Sequence, residues 1–393
     1  MRVTQMMLSN NSLRHLSGSY QTLQTLQDQL STGKKISRAS QDPVVAMNGM
    51  RYRTQVTEIE QFKRNLGEVY NWMENGDAAL NEATNALHRI RELTVQASND
   101  TYESAQRSNI AKEVAQLRDH LMSLANTKAN NKYLFNGTNT TNPPVQENLL
   151  DVGFAGIADA LDALPNNEFE PGEFSHVLNH MGDRYELREK DDNTYLFVNV
   201  NNPGKTIMLS KNEENGSLQS VNYSHTYEKD GVQVTDEKVL QEREFVISSR
   251  QAVSTNSQVV EMELLKGVNI PVNIDPNNIF SSEFFADLIQ LEKAMKDSNV
   301  TGEKMTEFLA VLDRNIDKVV NERAELGARY NRVEMIEYRV MEQEVIAKRT
   351  LSHNEDADIE KVISSLLMAE NVHRAALSSM SRIMQPSLMD FLR

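Results

Sequence analysis

The sequence LSTGKKISRASQDP, from Leu30 to Pro43, joins a short polar segment to a much longer one. Ahead of it, apolar residues recur at three- and four-residue steps, which predicts an amphipathic helix that runs to Thr32. Gly33 is suited to the left-handed conformation that ends such a helix. On the far side, Asp42 can accept hydrogen bonds from the first free amides of a new helix, and the φ angle of Pro43 suits the first helical position. The stretch therefore predicts a capped hinge between two helices.

Apolar residues at heptad spacing predict two long helices of coiled-coil type. The first runs from Pro43 to about Ala97, and the second from Glu303 to Thr350. At 1.5 Å per residue they would be about 80 Å and 70 Å long, which is too long for helices of a globular core. Gly76 occupies a core position of the first helix. It indicates either the close approach of a neighbouring helix or a glycine that is simply tolerated there.

The middle of the chain loses the helical period. Turn-forming residues punctuate short β-favouring runs between about Val145 and Ile279, and a short helix is predicted within Leu149 to Leu164. Strands are predicted at Thr194 to Val200, Thr206 to Leu209, Val221 to Tyr227 and Val232 to Leu240, with turns at Pro203-Gly204 and Asp230-Gly231. Helix returns at Ser281, and a final helix is predicted after HNEDAD, residues 353–358.

The predicted fold is mainly α, with an inserted β domain between two helical halves. We expect one domain to combine residues 1–42 with 353–393 and hold the two terminal helices. A second domain would combine residues 43–142 with 283–352 as a long-helix bundle, and residues 143–282 would form the mainly β insert. Because the halves of the helical part are discontinuous in sequence, the chain ends must meet.

The composition excludes several classes of function. The chain has 393 residues, 39% of them hydrophobic and 25% charged, as in soluble proteins of two or three domains. Its formal net charge of -15 argues against a nucleic-acid partner, because phosphate attraction needs a surplus of cations. No apolar run is long enough to predict membrane insertion, and no general secretory signal is readable at the N-terminus. The absence of cysteine excludes disulfides and thiol nucleophiles.

No cofactor, metal site or catalytic group is predicted. The side chains of His353, Glu355, Asp356 and Asp358 look like a metal cluster on paper, but acidic residues before a helix are better explained by capping and by the helix dipole. The chain has no H-E-x-x-H, P-loop or G-x-S-x-G motif. An enzyme site within the β insert is the least favoured alternative.

Several long motifs resemble the flagellin family of bacterial flagellar axial proteins. They are LSTGKKISRASQDP, GDAALNEATNALHRIRELTVQASNDT from Gly76 to Thr101, RAELGA from Arg323 to Ala328, and EDAD from Glu355 to Asp358. The resemblance covers about residues 1–142 and 283–393. Three details are more similar to hook-filament junction members than to filament flagellins: the MRVTQ start, NNKYLFNGTNT from Asn130, and the SLMDFLR terminus. In residues 143–282 we recognise no resemblance to a known family.

This resemblance implies a flagellin-type fold, with paired chain ends that line a tube and an insert that faces outward. It implies a structural adaptor of the extracellular flagellum that joins hook to filament by self-assembly through its terminal helices. A minor flagellin that forms the filament itself is the alternative. The implied partners are further copies of the chain in a ring or tube, an adjoining hook-associated protein, flagellin, and a cytosolic export chaperone at the C-terminal helix. Export from the cytoplasm without a cleaved signal peptide is also implied.

The hinge and these motifs supply the candidate assembly residues. They are Leu30, Gly33, Ile36, Arg38, Ala39, Asp42, Pro43, Arg91, Glu92, Leu93, Arg323, Glu325, Gly327, Phe391, Leu392 and Arg393. The sequence leaves open the number of copies in a ring, the fold and ligands of the insert, and the identity of the chaperone.

Overall fold

The computed structural model describes residues 5–99, 104–165, 168–212, 216–229 and 232–383. The described residues form helices α1 Gln5–Thr32, α2 Pro43–Ala97, α3 Ser104–Ala125, α4 Gly153–Asp162, α5 Pro276–Ile279, α6 Ser282–Lys296, α7 Gly302–Glu355 and α8 Ile359–Ile383. The strands are β1 Lys128–Ala129, β2 Lys132–Tyr133, β3 His176–His180, β4 Asp183–Lys190, β5 Thr194–Asn199, β6 Lys205–Lys211, β7 Leu218–Lys229, β8 Val232–Leu240, β9 Val246–Ser249, β10 Glu261–Leu265 and β11 Val268–Pro271. The prediction of a mainly helical chain with an inserted β domain is confirmed.

The chain divides into two compact units. The terminal unit comprises residues 1–64 and 336–393, and the central unit comprises residues 65–335. Helices α2 and α7 contribute residues to both units. The three-part division expected from the sequence, with boundaries near residues 42, 142, 282 and 352, stays a prediction.

The terminal unit brings the two ends of the described chain together. Helix α1 packs against α8, where the rings of Tyr20 and His373 lie 6.2 Å apart. In the same unit, Lys63 of α2 donates to Glu344 of α7 at 2.8 Å. Chain ends that are far apart in sequence therefore pair as helices, as the discontinuous halves required.

The heptad residues of the long helices form the helical core of the central unit. Met73, Leu80 and Leu87 of α2 are buried, as are Leu312 and Val319 of α7. Such residues leave water because they repeat on one face of each helix.

The close-approach explanation for Gly76 is supported. A Cβ atom added there would lie 3.1 Å from Ile274 Cδ1 and 3.6 Å from Leu326 Cδ2. The neighbours are thus α7 and also the segment that follows β11, which the sequence did not predict.

A seven-stranded antiparallel sheet forms most of the insert, in the order β8-β7-β6-β5-β4-β3-β9. Its core face packs against α4 and contains Tyr185, Tyr195, Phe197, Ile207 and Leu209. The four predicted strands are present as β5 to β8, and the predicted short helix is present as α4. The predicted turn at Asp230-Gly231 lies outside the described residues.

Strand β4 was missed because its sequence, DRYELREK, is rich in charge. Polar partners replace water around the two charges that it buries. Glu186 pairs with Arg250 at 2.9 Å, and Lys190 donates to the carbonyl of Leu161 at 2.8 Å near the end of α4. Burial of a charge is tolerated where partners replace water.

Helix α7 ends five residues later than expected, at Glu355 rather than Thr350. His353 and Glu355 therefore belong to its last turn, and the idea that they cap the next helix is wrong for these two residues. Asp358 does cap α8, since its Oδ1 accepts from the amide of Lys361 at 3.2 Å. The longer helix places Glu355 where it makes the contacts described next.

Candidate functional site

The hinge loop, residues 33–42, has the two caps that its sequence predicts. Gly33 has a φ angle of 67°, and its amide donates to the carbonyl of Gln29 at 2.9 Å. Oδ1 of Asp42 accepts from the amides of Val44 at 3.0 Å and Val45 at 3.1 Å. Local hydrogen bonds thus end α1 and start α2, as capping requires.

The hinge loop is joined to the α7–α8 junction, residues 355–358. The amide of Lys35 donates to the carbonyl of Glu355 at 2.6 Å, and the amide of Ala357 donates to the carbonyl of Gly33 at 2.8 Å. Lys34 adds an ion pair with Asp356 at 2.7 Å. The two links between long and terminal helices therefore lie side by side as a short antiparallel bridge.

Glu355 is a buried carboxylate at the centre of this site. Its side chain pairs with Arg53 of α2 at 2.7 Å and lies 3.5 Å from Lys34. Gly49 of α2 makes room for it, because a Cβ atom there would lie 2.5 Å from Glu355 Oε1. Asn354 adds a hydrogen bond to the carbonyl of Val45 at 2.9 Å. The start of α2 is thereby held against the end of α7.

The ion pairs of the site favour its charged state. The hydrogen bond from Lys34, followed by one from Ser352, holds the pKa of Asp356 below its usual range. The hydrogen bond to Asp356 in turn raises the pKa of Lys34. The pKa of Arg53 is raised by its hydrogen bond with Glu355. These shifts describe a fixed electrostatic contact rather than a proton-transfer site.

Next to these contacts lies a groove of about 230 Å³, lined partly by Ile36, Arg38 and Ala39 of the hinge loop. Met50 of α2 also lines the groove and is 63% exposed. Its lining also includes Lys34, Arg53 and Glu355, so the open groove mixes apolar and charged side chains. Such a surface suits contact with a protein better than chemistry on a small substrate.

The remaining candidate residues belong largely to the central unit. Arg323 donates to Asp77 at 2.7 Å and to Asn81 at 2.8 Å, which joins α7 to α2. Arg91 makes the same kind of link with Asp313 at 2.6 Å. Each pair is exposed and contributes little to stability by itself.

The neighbours of these arginines have different surroundings. Leu93 is buried, Glu92 pairs with Arg89 on the surface at 3.2 Å, and Glu325 pairs with Arg329. Gly327 faces open space, with nothing within 4 Å of an added Cβ atom. Their role in assembly stays a prediction.

The last candidate residues are Leu30, beside the hinge, and three residues at the C-terminus. Leu30, in the last turn of α1, is 38% exposed. Phe391, Leu392 and Arg393 lie outside the described residues.

The sequence did not single out Gly49, Arg53 or the pairing of Glu355. The one available signal was the match in charge between the basic KKISR segment and the acidic EDAD segment.

The described part of the chain offers no sign of metal chemistry or of a membrane span. None of its His, Asp and Glu side chains form a group of three or more that could hold a metal ion. None of its helices is long and apolar enough to cross a membrane.

Comparison with known proteins shows similarity to bacterial flagellins. Residues 3–140 match the sequence model of the bacterial flagellin N-terminal helical region. The chain is 24% identical over 322 residues to polar flagellin F of Vibrio parahaemolyticus, a match that covers 81% of this chain and 79% of the flagellin. Residues 3–140 are thus similar to the flagellin N-terminal helical region, and the chain is similar to a flagellin over most of its length.

Two further likenesses concern hook-associated proteins. Flagellar hook-associated protein 3 of Escherichia coli is 28% identical over 148 residues, which is 37% of this chain and 47% of that protein. The chain thus spans less than half of that relative's length. A structure described as a flagellar hook-associated protein from Vibrio parahaemolyticus aligns with 80% of this chain and 100% of its own, with a TM-score of 0.50 and 14% identity. At that identity the likeness establishes the flagellin-type fold alone.

Proposed function

We propose that the chain is a structural adaptor subunit of the bacterial flagellum, which joins hook to filament by self-assembly through its terminal helices. The likeness to hook-associated protein 3 and the related fold support this function over that of a filament subunit. The proposal places the chain outside the cell, after export from the cytoplasm without a cleaved signal peptide.

The observation that carries the proposal is the exposed apolar surface of α8. On its buried side, Val362 and Met380 are 6% and 8% exposed. At 3.6 residues per turn, Ile363, Leu367 and Leu377 fall on one flank of that side, and Met368 and Val372 fall on the other. All five are between 44% and 66% exposed.

The two exposed apolar flanks of α8 require two neighbouring surfaces to bury them. A contact in which one flank meets a different surface of the next copy is heterologous, and it generates a ring or a helical tube when repeated. We therefore infer that further copies of this chain cover α8 in the assembled state, with the hinge loop setting the direction of α1 and α8.

The other partners follow from the same surface. Before assembly, the exposed flanks would favour aggregation, so a cytosolic export chaperone on the C-terminal helix is proposed to cover them. In the flagellum, the two faces of a ring would meet an adjoining hook-associated protein and flagellin.

Labelled-antibody electron microscopy of intact flagella tests the location. We expect label in one short zone between hook and filament. Label along the whole filament would instead support the minor-flagellin alternative, and label absent from flagella would refute both.

A charge placed on one flank tests the assembly surface. Leu367→Asp should leave the monomer folded and abolish assembly, because it puts an unpaired carboxylate into an apolar contact. Ser364→Asp is the matched control, since residue 364 points between the two flanks, away from α1. Equal loss of assembly in both variants would show that the flanks are not the contact surface.

A further inference from the structure

The turn between β3 and β4 is fastened to two helices of the central unit. Met181 and Gly182 form this turn with φ angles of 50° and 81°. The amide of Met181 donates to Gln290 Oε1 of α6 at 3.1 Å, and the amide of Gly182 donates to Asp287 Oδ1 of α6 at 2.7 Å. Arg314 of α7 donates to the carbonyl of Met181 at 3.1 Å. The turn is thus a fixed point between the sheet and the helices.

Asp287 differs from the other buried acids of the described chain. It is 2% exposed, and its second oxygen accepts from the side-chain amide of Asn315 at 3.0 Å. Glu186, Glu292 and Glu355 are also buried, and each pairs with an arginine. Among the described residues, Asp287 has amide donors but no cation within ion-pair distance. Burial without an ion pair makes the protonated form of this carboxyl group less costly, and this effect outweighs the two N–H donors, which favour the charged form.

The charged groups around the turn are mostly engaged elsewhere. On α7, Arg314 and Lys318 lie near enough to favour the charged carboxylate without forming an ion pair with it. On the hairpin, Asp183 pairs with Lys205 at 2.6 Å, and Arg184 pairs with Glu186 at 3.1 Å. On α6, Glu283 lies 3.9 Å from Arg184.

The remaining charged groups near α6 lie on its other neighbours. Arg118 of α3 pairs with Glu292, and Lys304 pairs with Glu244 in the short helix that follows β8. His180, beside the turn, contacts the backbone carbonyl of Glu244, and burial lowers the pKa of its ring. His180 is therefore neutral near pH 7.

We propose that the β3–β4 turn is a proton-controlled latch, in which protonated Asp287 holds the sheet on α6 and α7 and loss of its proton lets the turn detach more often. Burial raises the pKa of Asp287 to about 7. In the detached turn, the exposed group would return to an ordinary pKa of about 3.9.

The sign of the effect follows from these two values. Below about pH 4 the carboxyl group is protonated in both states, and above about pH 7 it is ionised in both, so the detachment equilibrium is flat in either range. Between them, only the detached state loses its proton. Detachment is therefore favoured about tenfold for each pH unit of increase. This latch goes beyond the assembly role and does not depend on the chain's place in the flagellum.

Amide hydrogen exchange in the full chain tests the latch. The protection factors of Met181 and Gly182, corrected for intrinsic exchange, should fall about tenfold per pH unit from pH 5 to about pH 7 and then level off. The amides of β7 are the internal reference, because three strands separate β7 from β3 in the sheet, and their protection should not show this pH dependence. A protection factor at Gly182 that stays constant over this range would overturn the proposal.

Variants separate Asp287 from its surroundings. Asp287→Asn keeps an acceptor for Gly182 and a partner for Asn315, so the protection at Gly182 should lose its pH dependence. Glu283→Gln, one turn earlier on α6, should keep the wild-type course. If Asp287→Asn does not fold, the carboxyl carbon of Asp287 can be titrated by NMR in the wild type. A midpoint near pH 4 instead of about 7 would refute the latch.

Discussion

At the scale of single residues, the hinge depends on the room that Gly49 leaves for Glu355. The carboxylate reaches Arg53 only because no side chain stands between Glu355 and α2. A glycine inside a helix otherwise lowers stability, by roughly 0.5–1 kcal/mol relative to alanine. Gly49 therefore lowers the helix propensity of α2 but leaves room for the ion pair between Glu355 and Arg53.

Gly49→Ala should destabilise the chain, although alanine favours helix. The new Cβ atom would lie 2.5 Å from Glu355 Oε1 and would displace the buried carboxylate from Arg53. We expect a net loss of about 1 kcal/mol, because Glu355 is buried but Arg53 is 64% exposed, so that water screens the pair on one side. Gly67→Ala on the same helix is the control, because nothing lies within 4 Å of its Cβ position. Urea unfolding should show no loss for Gly67→Ala. Equal midpoints for the two variants would contradict this account of the hinge.

The Lys34–Asp356 pair gives the hinge a dependence on pH. The pKa of Asp356 is lowered in the folded state, so its stabilisation is present above the ordinary value of about 3.9 and is lost as pH falls through the lowered pKa. The pKa of Lys34 is raised in the folded state. Its contribution to stability is therefore present below about pH 10.4 and is lost as pH rises through the raised pKa. Both side chains are more than 40% exposed, which keeps the effect under about 1 kcal/mol.

Lys34→Met should therefore lower the free energy of unfolding slightly at pH 6. Denaturant curves between pH 2 and pH 7 measure the difference from the wild type, which should vanish at the acid end. A difference that persists where Asp356 is protonated would show that Lys34 acts through packing instead.

At the scale of elements, the hinge sets how two pairs of helices are linked. Gly33 has a left-handed φ angle but no atom within 4 Å of its Cβ position. Substitution there therefore strains the backbone without a steric clash. Because the carbonyl of Gly33 also accepts from Ala357, strain at this residue acts on the α7–α8 junction as well.

Gly33→Val combined with Asp42→Ala should weaken the hinge and spare the heptad cores. The first change costs on the order of 1–2 kcal/mol of backbone strain, and the second removes about 1 kcal/mol of capping. We expect the double variant to be exported but to fail in filament growth, so that cells release flagellin into the medium. Gly33→Asn is the matched control, since asparagine tolerates the left-handed region. Wild-type motility of the double variant would show that the hinge is only a connector.

At the scale of the whole molecule, the insert and the helical part depend on each other through α6. Asp287 receives the amide of Gly182, and Gln290 donates to the carbonyl of Asn179 at 2.9 Å. Both polar side chains of α6 are buried, and both form hydrogen bonds with the backbone of the β3–β4 hairpin. The insert is thus more than an appendage of the helices.

Deletion of residues 143–282 should keep the long helices but lower their stability. The heptad cores of α2 and α7 remain, so the helical signal in circular dichroism should persist. The unfolding midpoint should drop, because α6 loses the partners of Asp287 and Gln290. Replacing both residues by Leu in the deleted chain should restore part of the loss. Disappearance of the helical signal would mean that the helices cannot fold without the insert.

Features of the fold and of the hinge site were predictable from the sequence where they depend on residues close together along the chain. The end of α1, the bounds of α2 and the two caps were predictable, because they depend on residues within one or two helical turns. Strand β4 was not predictable, because its charged residues are typical of polar surface. Only the structure shows that Glu186 pairs with Arg250 and that Lys190 donates to a carbonyl at the end of α4. The same holds for Glu355, which reads as a capping residue in the sequence and is a buried ion-pair partner in the structure.

The sequence by itself therefore determined the long helices, their heptad cores and the ends of the hinge, since local hydrogen bonds and side-chain period decide these. Only the tertiary structure decided which charges are buried and what replaces water around them. Arg53 and Glu355 meet although 302 positions separate them. Asp287 of α6 meets Gly182 across 105 positions. Desolvation depends on every group packed around an atom, whatever its distance along the chain, and so no local pattern reveals it.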